Sequence, residues 1–125
     1  MSNRLKHGER NKKLSEDLLS GKVYLDWVVT TAFYAAIHFV EDKILPCTIN
    51  SKKCNNIAEV RSAYKSKGKH AAREKLVIEN LPNIAVQYKW LDDKSRYARY
   101  TTFKVTSSEA AKANQYLNEI CKCCI

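Results

Sequence analysis

Turn-forming residues are scarce in this chain. Three Gly and two Pro in 125 residues are too few for a sandwich or barrel of many short strands. No segment alternates apolar and polar residues for long enough to argue a strand. Long hydrophobic runs are missing too. The longest, Trp27–Val40, is 14 residues and includes two Thr and a His, short of the ~20 that span a bilayer. MSNRLKHGER has no apolar core of the kind a secretory signal needs. Cysteine is present, but not as a framework. Cys47, Cys54, Cys121, Cys123 and Cys124 are odd in number and crowd into CKCC, unlike a secreted disulfide scaffold. Reduced thiols, a cytoplasmic location and no membrane association are the expectation. The same cysteines lack the pair-and-pair spacing of zinc sites, so neither a metal nor a cofactor is expected. Repeats and low-complexity segments are absent.

Acidic residues are missing where basic ones gather. Residues 61–75 carry six Lys/Arg against one Glu, and residues 94–104 carry four Lys/Arg and no acid. The two windows, +5 and +4, together equal the formal net charge of +9. A polyanion is the natural partner for such a surface, and RNA or a nucleotide is the commonest.

What remains is helical pattern. Residues 8–19 predict a first helix with Leu14 and Leu18 on its apolar edge, stopped by Gly21. A second runs from near Val23 to just before Pro46. Residues 46–55 read as a polar loop. Asn56 with Glu59, and Thr106 with Glu109, have capping-box spacing. Two short helices flank Gly68. Ile84, Tyr88, Leu91, Ser95 and Ala98 recur at helical spacing, as do Ala110, Ala113, Leu117, Ile120 and Cys124. The prediction is one all-α domain over 1–125, with an antiparallel core of about four long helices.

Charged groups inside the most apolar helix need partners, because burying a lone charge is costly. Asp26, Tyr34, His38 and Glu41 fall on one side when this helix is projected at 100° per residue. They predict a shared buried polar network or a lined cleft. Two further sets suit an anion. His70 and Arg73 lie one turn apart at a helix start, and Arg96, Arg99 and Tyr100 follow one another in SRYARY, where Arg beside Tyr fits a phosphate with a stacked base.

The order DWVVTTAFYAAIHFVE, His70-x-x-Arg73, Leu81-Pro82 with Tyr88 and Leu91, then SRYARY resembles small prokaryotic HEPN-like proteins, over roughly residues 23–121. The resemblance implies a four- to five-helix up-and-down bundle, usually a homodimer. It also implies nucleic-acid-directed function, often as a metal-independent ribonuclease of a toxin or defence system with a nucleotidyltransferase-like antitoxin. Other members bind RNA or nucleotides without cutting, or act as dimeric scaffolds. The family's active site pairs an Arg with a His four to six residues later. Here Lys65 stands at that spacing before His70, and Arg73 follows it. The residues so implied are His70 as acid–base group, with Arg73 or Lys65 as phosphate stabiliser.

Overall fold

The structure is a computed structural model that describes residues 2–125. It is an all-α bundle of six helices: α1 (Asn3–Gly21), α2 (Leu25–Ile44), α3 (Ile57–Tyr64), α4 (Lys69–Asn80), α5 (Ala85–Tyr100) and α6 (Ser107–Cys124). A 3-10 turn, Pro82–Ile84, leads into α5. No helix among the described residues is long and apolar enough to cross a membrane.

Helix α2 is the axis of the bundle, packed by α1, α5 and α6. Its Val28, Val29, Ala32, Phe33, Ala35, Ala36 and Phe39 are completely buried. The two predicted apolar faces close over it. Ile84 of the 3-10 turn and Tyr88, Leu91, Ser95 and Ala98 of α5 are all buried, and so are Ala110, Ala113, Leu117, Ile120 and Cys124 of α6. Helix α6 starts with a complete capping box, Thr106 and Glu109 each bonding the other's backbone N–H. At α3 the box is displaced by one residue. Asn56 accepts from the Glu59 N–H, but Glu59 returns its carboxylate to Asn55.

Helix α1 departs most from the sequence pattern. It begins five residues earlier than residue 8, with Ser2 as its N-cap. Leu14 is exposed rather than on the apolar edge, and the buried positions are Gly8 and Ser15. These are two turns apart, so small residues form the seam. A Cβ on Gly8 would lie 2.8 Å from the Phe39 ring, which shows how closely that ring approaches the α1 backbone. Ser15 donates to the Val28 carbonyl at 2.9 Å. With Ser2 on Asp42, these contacts run in opposite order along the two helices, so α1 and α2 form an antiparallel hairpin. Helix α1 also touches α6. Burial pushes the Cys124 thiol up to about 12, and Asp42 and Lys43 act on it as well.

The expected polar loop contains a small antiparallel ribbon, β1 (Cys47–Ile49) and β2 (Lys52–Cys54). Asn50 and Ser51 both take positive φ, the conformation of a two-residue primed turn whose twist matches the strands. The strands are too short for alternation to register. Lys65, in the left-handed region at φ 57°, caps α3. A Lys65→Gly variant should keep or gain stability by up to ~1 kcal/mol, because glycine adopts this conformation without a Cβ penalty. Denaturant midpoints check this.

Candidate active site

Four helices deliver side chains to one cleft of about 490 Å³. Helix α2 supplies Tyr34, Ile37, His38 and Glu41, α4 supplies His70 and Arg73, α5 supplies Arg99 and α1 supplies Arg4. The helical repeat explains the α2 set. Tyr34, His38 and Glu41 lie one turn apart on one side of α2.

Tyr34, His38, Glu41 and His70 each meet a side chain from another helix. Arg73 Nε donates to Glu41 Oε2 at 3.1 Å, both groups being largely enclosed. Arg99 donates to the Tyr34 hydroxyl and to the Ser95 carbonyl, and its guanidinium lies over the Tyr34 ring. His38 meets the His7 ring in a tilted contact, with centroids 4.9 Å apart. His70 lies parallel to Phe33, with Nδ1 3.7 Å from Asp92 Oδ1. That separation is an electrostatic contact rather than a hydrogen bond. It leaves Nε2 as the nitrogen free to meet a substrate. Asp92 is fully buried and accepts both forks of Arg96 at 3.0 Å.

These pairings sort the cations. Arg73 faces Glu41 and Arg96 faces Asp92, so their charges are largely offset. Arg99 bonds only uncharged groups, and Arg4 bonds the Asn55 carbonyl. Arg99 and Arg4 therefore carry the cleft's available positive charge. In the acid-free window 94–104, Lys94 is taken by Glu109.

Both imidazoles are held below the ordinary histidine value of 6.5. Burial is the main cause for His38, with His7 and Arg73 pushing the same way and Glu41 opposing. Burial again leads for His70, where Asp92 pulls upward and Arg96, Arg73 and Arg99 push down. At neutral pH both rings are mainly neutral and able to accept a proton. The sign for stability follows. Below about pH 6.5 the unfolded chain binds protons that the native rings resist, so stability is full above 6.5 and falls as the pH drops towards the lowered native values. A His38→Gln variant should lose less Tm than the parent between about pH 7 and 5. Parallel thermal-melt profiles would contradict this.

The four residues singled out on α2 are not one buried network. Tyr34 is 39% exposed and His38 and Glu41 are half-buried. Asp26 lines a separate groove with Trp27 and Thr30. Buried polar residues among those described are instead Ser15, Thr30, Thr31, Asp92 and Ser95. Thr30 and Thr31 bond carbonyls one turn back, as buried helical threonines do. Lys65 is exposed at the end of α3 and is not part of the cleft wall. Arg96 stands behind His70 on Asp92, and Tyr100 borders the Asp26 groove.

Sequence reasoning missed Arg4, His7 and Asp92. The first two precede the predicted start of α1, although Ser2 before RLKHGER is a capping signal. Asp92 sits four residues after Tyr88 and three before Ser95, on the buried face of α5, and Arg96 follows one turn later. That spacing was readable. No group of three or more metal-ligating side chains comes together among the described residues. Compared with protein-family models, curated proteins and solved structures, the chain gives no match.

Proposed function

We propose that the protein acts on RNA at this cleft and cleaves it without a metal ion. The observation that carries the reading is the meeting of His38, His70, Arg73 and Arg99, from three helices, around one depression. A neutral imidazole at His70 suits removal of the proton from a ribose 2′-OH. The 2′ oxygen attacks the adjacent phosphorus, forming a 2′,3′-cyclic phosphate as the bond to the 5′ oxygen breaks. The departing oxygen takes its proton from His38 in the minor fraction of molecules whose lowered imidazole is protonated, so cleavage is favoured on the acid side of neutrality. Arg99, with no acid on it, faces the charge that develops on the phosphorane. Arg73, bonded to Glu41, orients that wall and lends a weaker field. The HEPN-like resemblance points the same way.

Binding without cleavage is the second reading. It is favoured by the acid partners of Arg73 and Arg96, which leave fewer cations for a transition state. One assay separates the two. Total RNA is incubated with the protein in excess chelator, and binding is followed against salt. Chelator-resistant cleavage with cyclic-phosphate ends supports the first reading. Salt-sensitive binding with intact RNA supports the second. Neither effect would remove both. A Lys65→Ala variant should cleave within about twofold of the parent, since an exposed charge outside the cleft contributes little.

A further inference from the structure

Arg99 lines two depressions. Beyond the histidine cleft lies a groove of about 490 Å³ between the N-terminal end of α2 and the link from α5 to α6, bordered by Asp26, Trp27, Thr30, Tyr100 and Phe103 as well as Arg99. Three of these are large rings left in water, with Trp27 52%, Tyr100 79% and Phe103 71% exposed. Scattered exposed apolar residues need no explanation, but rings gathered around one depression do. The Arg99 guanidinium sits 5.4 Å from the Tyr34 ring and 5.2 Å from the Tyr100 ring. The arginine therefore stands at the boundary of cleft and groove, within cation–π distance of Tyr34 in the one and Tyr100 in the other. Asp26 adds a carboxylate with no ion-pair or side-chain hydrogen-bond partner among the described residues. Its place in the first turn of α2 makes a negative charge tolerable there. The rings have no such explanation.

We propose that this groove is a nucleobase pocket. It receives the base next to the phosphate held at Arg99, so the inference rests on the RNA reading of the cleft. Trp27, Tyr100 and Phe103 supply stacking faces, which every base satisfies. Asp26 supplies selectivity. A carboxylate only accepts hydrogen bonds, so it favours a base that presents donors. Guanine offers N1–H and its 2-amino group side by side, matching both oxygens, whereas adenine offers a single amino group. A base seated in this way is unstacked from its neighbours, which requires a single strand rather than a duplex. Measured along α2, Trp27 and His38 are about 16 Å apart at 1.5 Å per residue, with Arg99 and Tyr34 between them. One strand running along the helix therefore meets both sites.

The test uses 2′-O-methyl oligonucleotides, which bind but lack the nucleophile. They are identical except for one central position carrying guanine, adenine or no base. Affinity is read by fluorescence anisotropy. The guanine strand should bind about tenfold more tightly than the abasic one. Trp27→Ala should remove about tenfold from the guanine strand and leave the abasic strand unchanged. Asp26→Asn should erase the preference for guanine over adenine without weakening the adenine strand. Trp27 is half exposed, so its replacement spares the core, and a thermal melt confirms folding. Equal affinity for all three strands, or a Trp27→Ala effect equal on all three, overturns the base pocket. If that binding is still salt-sensitive and lost in Arg99→Ala, the RNA reading survives. Absence of binding to any strand at low salt overturns both.

Discussion

A His70→Ala variant is expected to lose RNA cleavage by about a hundred- to ten-thousandfold, the usual worth of a positioned acid–base group, while its Tm barely moves. The His70 side chain is 47% exposed, and its main apolar contact is one face of Phe33, which remains buried without it. Removing the ring therefore takes away chemistry and little packing. Equal losses of activity and Tm would point to a structural role. Asp92 provides a second readout because it acts through His70. It raises the proton affinity of that imidazole against the pull of burial and three arginines. Asp92→Asn should shift the acid limb of the pH–rate profile to lower pH, because the upward pull is gone. It should also free Arg96 to move. A lower rate with an unmoved acid limb would mean that Asp92 only holds α5 in place.

Phe39→Ala is expected to cost about 3–5 kcal/mol, a large share of the 5–15 kcal/mol that usually keeps a small domain folded. Phe39 is fully buried, and α1 crosses directly above it. At Gly8 the helix has no Cβ because the ring occupies that space, with 2.8 Å and 2.9 Å to the nearest ring carbons. Gly8→Ala sets two effects against each other. The helix gains roughly 1 kcal/mol from alanine's better propensity, and the overpacked seam loses about 1–3 kcal/mol. The seam wins because the close approach is ring to backbone, with no flexible chain end to move aside. A smaller partner should relieve it, so Gly8→Ala in a Phe39→Leu background should cost measurably less than in the parent. Chemical denaturation of the four proteins gives the coupling. Additivity within about 0.5 kcal/mol would mean that the two positions do not meet. The seam matters beyond stability because α1 brings Arg4 to the cleft and His7 against His38.

The contrast between α5 and α1 explains what could be read from the chain. A face marked by Tyr88, Leu91 and Ile120 declares itself, since large apolar residues at helical spacing have one place to go. A seam made of Gly8 and Ser15 carries no hydrophobic signal, and the visible Leu14 points to solvent. The cleft was legible as sets of residues rather than as a site. Tyr34, His38 and Glu41 share one face of a projected helix, and His70 with Arg73 are one turn apart at a helix start. Only the packing of α4 and α5 on α2 brings them together. Asp26 was grouped with the others because a helical projection shows angle and discards height. It lies about 22 Å along the axis from Glu41. The ribbon at 47–54 was invisible for a different reason, since three-residue strands offer too little alternation.

The corner where Ser2 meets Asp42 and Cys124 lies close by has a topological consequence. Ser2 bonds Asp42, and the charges of Asp42 and Lys43 reach the Cys124 thiol, so a linker joining residues 2 and 124 would close the backbone into a ring. Reopening that ring between α3 and α4 would give a circular permutant whose chain order is α4, α5, α6, α1, α2, α3. The hairpin of α1 and α2 and the α5–α6 pair would each stay on continuous chain, and His70 would stand near the new beginning.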